Sequence, residues 1–284
     1  PRAVKIIGPA PRRNGWRKNR VLNISLDLLT QVGDITKRAG QEIMKIYETD
    51  FQVEEKADKS PVTKADKAAE ELIIRSIRMG LTDKYPIVSE EAFADGNAPD
   101  ITDAPFWLVD PLDGTKEFVN RNGEFTVNIA LIDVGKPVLG VIHAPALGRT
   151  YWGAQAGVFT QIGDEKERTI ACREAPANGL TAMVSRSHRS DDMESFLSDY
   201  DIAGETTSGS SIKFCRIAEG QADIYPRIGR TMEWDTAAGH AIVHYAGGNV
   251  TDMDGNELQY GKPGFENPHF IVKGPGVAKA TPDT

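Results

Sequence analysis

The sequence predicts an α/β (α+β) fold, and three observations carry that expectation. Apolar residues recur at helical spacing near the start of the chain, short β-like runs broken by glycines fill the middle, and strands alternate with helices in the second half. At 284 residues the chain exceeds a typical single domain and suffices for a sizeable core.

From Val21 to about Glu48 the residues Leu28, Val32, Ile35, Ala39, Ile43 and Ile46 recur every three or four positions and predict an amphipathic helix, weakened slightly by Gly33 and Gly40. A second helix is expected from Lys64 to Met79, with Gly80 where a C-cap belongs and a polar loop, Glu54 to Ser60, between the two. Strands are expected at Ile87 to Ser89 and Phe106 to Val109, each ending in acids. An antiparallel meander should follow through Thr126 to Asp133, Pro137 to His143 and Arg149 to Gln161. Further on, a strand at Ala182 to Ser185 precedes helices at Asp191 to Tyr200, Ile212 to Glu219 and Asp235 to Ala246, and a last strand is read at Asn249 to Thr251. The boundary near residues 175–179 suggests lobes over 21–177 and 178–284, after a flexible basic arm over 1–20. That arm carries Arg2, Lys5, Arg12, Arg13, Arg17, Lys18 and Arg20 without an acid, and it lacks the continuous apolar region of a secretory signal.

Composition excludes several classes of function. Hydrophobic residues make up 40% and charged residues 26%, and no apolar stretch approaches the roughly 18 residues of a spanning helix. The net charge of −8 argues against a nucleic-acid polymer as partner, so any phosphate site must be local. Cys172 and Cys215 show no CxxC spacing, which suits a reducing compartment, and the cytoplasm is the expected location. Peripheral association with the inner membrane is left open, as is the choice between monomer and homodimer.

The stretch Trp107-Leu-Val-Asp110-Pro-Leu-Asp113-Gly-Thr115 carries the chemistry. A strand is expected to run into Asp110, with Pro111 fixing a turn and Gly114 permitting close backbone approach where a helix begins. Two carboxylates and the Leu112 carbonyl can then converge as oxygen donors for a hard cation such as Mg²⁺. A bare Asp-x-x-Asp equally describes a capped helix beside a loop acid. Three other features are ambiguous in the same way. Thr63-x-x-Asp66 resembles a capping box, Asp235 in Trp234-Asp235 would serve as an ordinary N-cap, and Glu90 or Glu91 after Ser89 would serve as surface acids.

Taken together, Ser89-Glu90-Glu91, Asp110-Pro-Leu-Asp113-Gly-Thr115 and Trp234-Asp235-Thr-Ala-Ala-Gly239 resemble the motifs of the inositol monophosphatase superfamily of Mg²⁺-dependent, lithium-sensitive phosphatases. The resemblance spans roughly Leu26 to Gly248 and implies a layered α-β-α-β-α sandwich of the sugar-phosphatase type. It also implies Glu90, Asp110, the Leu112 carbonyl, Asp113 and Asp235 as ligands of two or three Mg²⁺ ions, with Asp66 and Thr115 polarising the attacking water. Hydrolysis would be direct, without a phosphoenzyme.

Lys116-Glu117-Phe118 resembles the 3′(2′),5′-bisphosphate nucleotidase branch, where inositol phosphatases more often carry Thr-Asn-Phe. Gly209-Ser210-Ser211-Ile-Lys213-Phe-Cys215, Tyr225-Pro-Arg227 and Ser185-Arg-Ser-His188 resemble the same branch. This implies substrate contacts by Gly114, Thr115, His188, Ser210, Lys213, Arg227 and Asp235, and hydrolysis of adenosine 3′,5′-bisphosphate to AMP and phosphate in sulfur metabolism. By residue type alone, Lys213 and Arg227 read equally well as solvated surface charges. Inositol monophosphate or fructose 1,6-bisphosphate as substrate, and a non-catalytic regulatory role, are the alternatives. The remaining histidines are expected in packing roles, and Cys215 as a buried small hydrophobe.

Overall fold

The structure, a computed structural model, describes residues 22, 24–55, 61–102, 104–185 and 191–280. The basic segment 1–20 and His188 lie outside the described residues.

Helix α1 (Leu26–Tyr47) starts later than its apolar pattern suggests, because the Ser25 side chain accepts from the Leu28 N–H and caps it there. Its glycines mark close approach: a Cβ at Gly33 would strike Trp152, and one at Gly40 would lie 2.5 Å from His143 Cδ2. Part of the expected polar loop is strand, since β1 (Val53–Glu55) pairs antiparallel with β2 (Pro61–Thr63), while residues 56–60 lie outside the described set. Helix α2 (Lys64–Ser76) opens on a capping box formed by Thr63 and Asp66. It does not run to a Gly80 cap. Residues Ile77–Leu81 widen into a π-helical turn, closed by the Thr82 N–H on the Ile77 carbonyl at 2.9 Å, and Ile77 stays in the core.

Next come β3 (Ile87–Ser89), α3 (Glu90–Ala94) and β4 (Phe106–Asp113). Strand β4 runs past Asp110 instead of turning at Pro111. Its register against β5 (Thr126–Asp133) shifts between Asp110 and Asp113, so proline, which has no N–H for the ladder, occupies a bulge. Helix α4 (Thr115–Val119) follows at once. The meander continues with β6 (Lys136–Ala144), β7 (Arg149–Ala154), β8 (Gly157–Ile162) and β9 (Arg168–Thr169), completing a seven-stranded sheet ordered β3-β4-β5-β6-β7-β8-β9.

The second sheet draws on β10 (Leu180–Ser185), β11 (Ile202–Ser208) and β12 (Ile224–Arg227), together with β13 (Asn249–Asp252) and β14 (Phe270–Lys273), in the order β11-β10-β12-β14-β13. Helix α5 (Asp191–Leu197) is shorter than expected, α6 is Ile212–Ala218, and α7 (Glu233–Tyr245) begins two residues before Asp235.

Three apolar clusters define the stacking. Trp107, Val109, Ile129 and Val141 on one face of the large sheet pack against α1 and α2. Leu108, Ala130 and Ile142 on its other face meet α6 and α7, which also cover Tyr225, Val250 and Phe270 of the second sheet. Ala182, Val184 and Ile224 on the far side of that sheet meet Met193 and Leu197 of α5. The order is therefore α-β-α-β-α, and strands buried on both faces read as near-continuous apolar runs.

Candidate active site

The parallel pairing of β3 with β4 places Ser89 opposite Val109, so the half-buried Glu90 and the buried Asp110 emerge at the same end of adjacent strands. The Asp110 carboxylate accepts the Leu112 N–H at 3.1 Å across the bulge. Gly114 then takes a left-handed φ of +89° that turns the chain into α4, and a Cβ there would press to 3.1 Å from Ser210 Cβ.

Asp66 reaches this corner from the first turn of α2. One of its oxygens accepts the Thr63 N–H and Oγ1–H, both at 2.8 Å, and the other faces the Thr115 hydroxyl at 3.3 Å. Capping and placement beside Thr115 are thus compatible, because they use different oxygens. The Thr115 hydroxyl also lies 3.2 Å from the Leu112 carbonyl.

The opposite wall comes from the corner between β11 and α6. Asp113 Oδ2 accepts from Ser210 Oγ at 2.8 Å and from both Ser211 N and Ser211 Oγ at 2.6 Å, with Thr126 and Asn128 at 3.4 Å. The Gly209 N–H donates to Glu124 at 2.8 Å, and Ser210 holds a positive φ of 51°. Lys213 is buried and not solvated: its Nζ donates to the Ser210 carbonyl at 2.7 Å and lies 5.5 Å from the Tyr225 ring centre. Asp235 is the third residue of α7 and not its N-cap. Its carboxylate accepts the Met232 N–H at 2.8 Å, as the acid of a capping box does.

Part of this set lines a cavity of about 370 Å³. Glu90, Asp113, Thr115 and Asp235 stand on its walls together with Lys213, Arg227 and Arg230. Electrostatics is strongly perturbed here. Loss of solvent pushes the Asp235 carboxyl well above its usual range, with Asp113 and Glu90 adding like-charge repulsion. Burial pulls the Lys213 ammonium down to about 8 even though Asp113 favours its charge. Burial also raises the Glu117 carboxyl. Among the described residues, the buried Arg227 Nε has no hydrogen-bond partner, so the guanidinium retains an uncommitted donor.

Among the described residues no three His, Cys, Asp or Glu side chains are gathered tightly enough to hold a metal ion as they stand. The donor types nonetheless suit a hard cation, because the cavity wall offers carboxylates without thiol or imidazole. The repulsion recorded at Asp235 is the kind that a bound cation reverses.

Residues 27–281 match the inositol monophosphatase family. The chain belongs to that family. A 3′(2′),5′-bisphosphate nucleotidase CysQ of Salmonella typhimurium is 45% identical over 251 residues, covering 86% of this chain and 99% of that protein. The CysQ of Escherichia coli K12 is 43% identical over the same shares. Among solved structures, CysQ from Bacteroides thetaiotaomicron superposes with a TM-score of 0.73 at 38% identity, covering 87% of this chain and 97% of that one. An IMPase from Thermotoga maritima gives 0.71 at 27%, covering 88% and 93%.

Within this member of the inositol monophosphatase family, the structure brings Asp66, Glu90, Asp110, Leu112, Asp113, Gly114, Thr115, Ser210, Lys213, Arg227 and Asp235 around one corner between the two sheets. Asn128, Glu124 and Ser211, which hydrogen-bond to or beside Asp113, are absent from the residues the motifs point to. Asn128 offered a signal, as a polar residue within the apolar run of β5 on a sheet buried on both faces.

Proposed function

We propose that the chain is a Mg²⁺-dependent 3′(2′),5′-bisphosphate nucleotidase that hydrolyses the 3′-phosphate of adenosine 3′,5′-bisphosphate to AMP and phosphate. One observation carries the reading: a single cavity has carboxylates on one wall and Lys213 with an uncommitted Arg227 donor on another. A substrate with two phosphates needs both walls, one for the ester that is cut and one for the phosphate that is kept. The naming of relatives that match nearly the whole chain supports the same substrate class.

In this reading Glu90, Asp110, the Leu112 carbonyl, Asp113 and Asp235 hold the cation. When bound, Mg²⁺ supplies Lewis-acid polarisation and a more acidic water nucleophile. The chain's own part is orientation and proton transfer. The Thr115 hydroxyl, directed at Asp66, has a lone pair free to accept from the attacking water, and Asp66 is the base behind it. Its other oxygen is already saturated by Thr63, which keeps the carboxylate aimed at Thr115. Lys213 keeps the Ser208–Ser210 corner in place and contributes positive charge, while Arg227 receives the retained phosphate. Two free thiols, one buried, suit the cytoplasmic location included in this reading. No helix among the described residues is long and apolar enough to cross a membrane.

The test is phosphate release with Mg²⁺ from adenosine 3′,5′-bisphosphate, inositol 1-phosphate and fructose 1,6-bisphosphate, each with and without lithium. Preference for the nucleotide, suppressed by lithium, is the expected result. Preference for inositol phosphate overturns the nucleotide assignment, and no release from any of the three overturns the enzyme reading.

A further inference from the structure

Ser211 is 2% exposed and occupies the junction of three elements. Its Oγ lies 2.8 Å from Asn128 Nδ2 on β5, 2.6 Å from Asp113 Oδ2 at the end of β4, and 2.8 Å from the Asp235 backbone carbonyl in α7. A serine hydroxyl has one proton to give. The Asn128 amide is a donor in this contact and occupies a lone pair of Oγ, so the proton goes to one of the two oxygens. The shorter, charge-assisted partner is Asp113. The Ser211 N–H reaches the same Oδ2 at 2.6 Å. Among the described residues, the hydrogen bonds to the Asp113 carboxylate thus fall on Oδ2, leaving Oδ1 as its outward donor.

We infer that Ser211 is a positioning residue: through its hydroxyl and its backbone N–H it fixes Asp113 as a single-oxygen donor to the divalent cation. The inference rests on the cation reading given above and adds a specific residue to it. Without the hydroxyl, Asp113 retains the backbone N–H but loses a charge-assisted bond. Second-layer partners of this kind orient the atoms that bind the ion.

The experiment is calorimetric titration of the 284-residue chain with Mg²⁺ in the absence of nucleotide, comparing the native chain with Ser211→Ala and Ser211→Thr, alongside unfolding midpoints and kinetics. Ser211→Ala is expected to weaken Mg²⁺ binding about 10-fold or more. Its kcat at limiting Mg²⁺ should fall in step, while the KM for nucleotide at saturating Mg²⁺ stays within about twofold, because ground-state binding of the nucleotide is untouched. Ser211→Thr, which keeps the hydroxyl, is expected to recover most of the loss. Native-like Mg²⁺ binding in Ser211→Ala, or no recovery in Ser211→Thr, overturns the inference.

If Ser211→Ala does not fold, Ser211→Cys takes its place. It nearly keeps the size of the side chain but offers only a weak S–H donor, so weaker Mg²⁺ binding supports the inference and unchanged binding overturns it. A native chain that binds Mg²⁺ yet hydrolyses no bisphosphate overturns the nucleotidase reading alone, with Ser211 still judged by these titrations. A native chain that takes up no Mg²⁺ overturns both.

Discussion

Lys213 donates to the carbonyl of Ser210, and the hydroxyl of that same Ser210 donates to Asp113. The buried cation is therefore a clamp on the corner that orients an acid of the site. Arg227, by contrast, keeps Nε without a partner among the described residues. The two cations of the pocket should respond differently to truncation.

Arg227→Ala is expected to raise the KM for adenosine 3′,5′-bisphosphate about 10- to 100-fold, the equivalent of one charge-assisted hydrogen bond. Turnover of adenosine 3′-monophosphate should change little, since that ester has no second phosphate to lose. Lys213→Ala should impair both substrates, because it loosens the Ser210 corner as well. Steady-state kinetics on the pair of substrates checks this, and equal effects of Arg227→Ala on both would remove Arg227 from the second-phosphate site.

Asp113→Asn should abolish turnover while leaving the fold intact. The amide preserves the shape and an oxygen for Ser210 and Ser211 but removes the charge. Near-normal Mg²⁺-dependent phosphate release by the purified variant would disprove the role of Asp113 as a ligand.

Two buried histidines predict the acid limb of stability. His143, hydrogen-bonded to Thr150, is lowered to about 4, and His240, against Tyr260, to about 3, in both cases chiefly by burial. The unfolded chain protonates them near 6.5 while the folded chain does not, so the stability they lend is full above that value and drains away as pH falls toward 4. His143 alone accounts for a loss of about 3 kcal/mol by pH 4. Asp235, raised in the folded state, contributes in the opposite sense. Urea unfolding of the native chain and of His143→Asn, at neutral pH and near pH 5, tests the assignment: the variant should lose less stability on acidification.

Gly140 on β6 meets the backbone of α7, where an added Cβ would collide with the Ala238 carbonyl and lie 2.8 Å from the Ala241 side chain. Gly140→Ala is expected to cost about 2–3 kcal/mol of stability through overpacking, and its urea midpoint will show it. A variant as stable as the native chain would mean that α7 lifts from the sheet without penalty.

What could be read from the sequence was what local pattern controls. The apolar stripe of α1, the alternation and glycine turns of the meander, and the acids after Ser89, Val109 and Trp234 each carry their signal within a few residues. Strand β11 gave none, because six of its seven residues, Ala203–Ser208, are polar or small, and most of the strand is exposed at the sheet edge. Pro111 misled for a physical reason: proline suggested a turn, but a bulge lets β4 continue through it to Asp113. Lys213 was undecidable locally, since its burial depends on Tyr225 and on carbonyls of the preceding corner. Ser211 gains its partners only when residues 83 to 98 positions earlier arrive beside it.

That last separation bears on how the molecule becomes competent after synthesis. The acid at the end of β4 belongs to one sheet and the serines that steady it follow a strand of the other, and they are joined only once the chain has closed a loop of 98 residues. Loop closure of this kind comes late, after local pairings such as those of the meander have already formed. During refolding, sheet-derived spectroscopic signals should therefore recover before hydrolysis does, and the lag between them times the docking of one half of the chain onto the other.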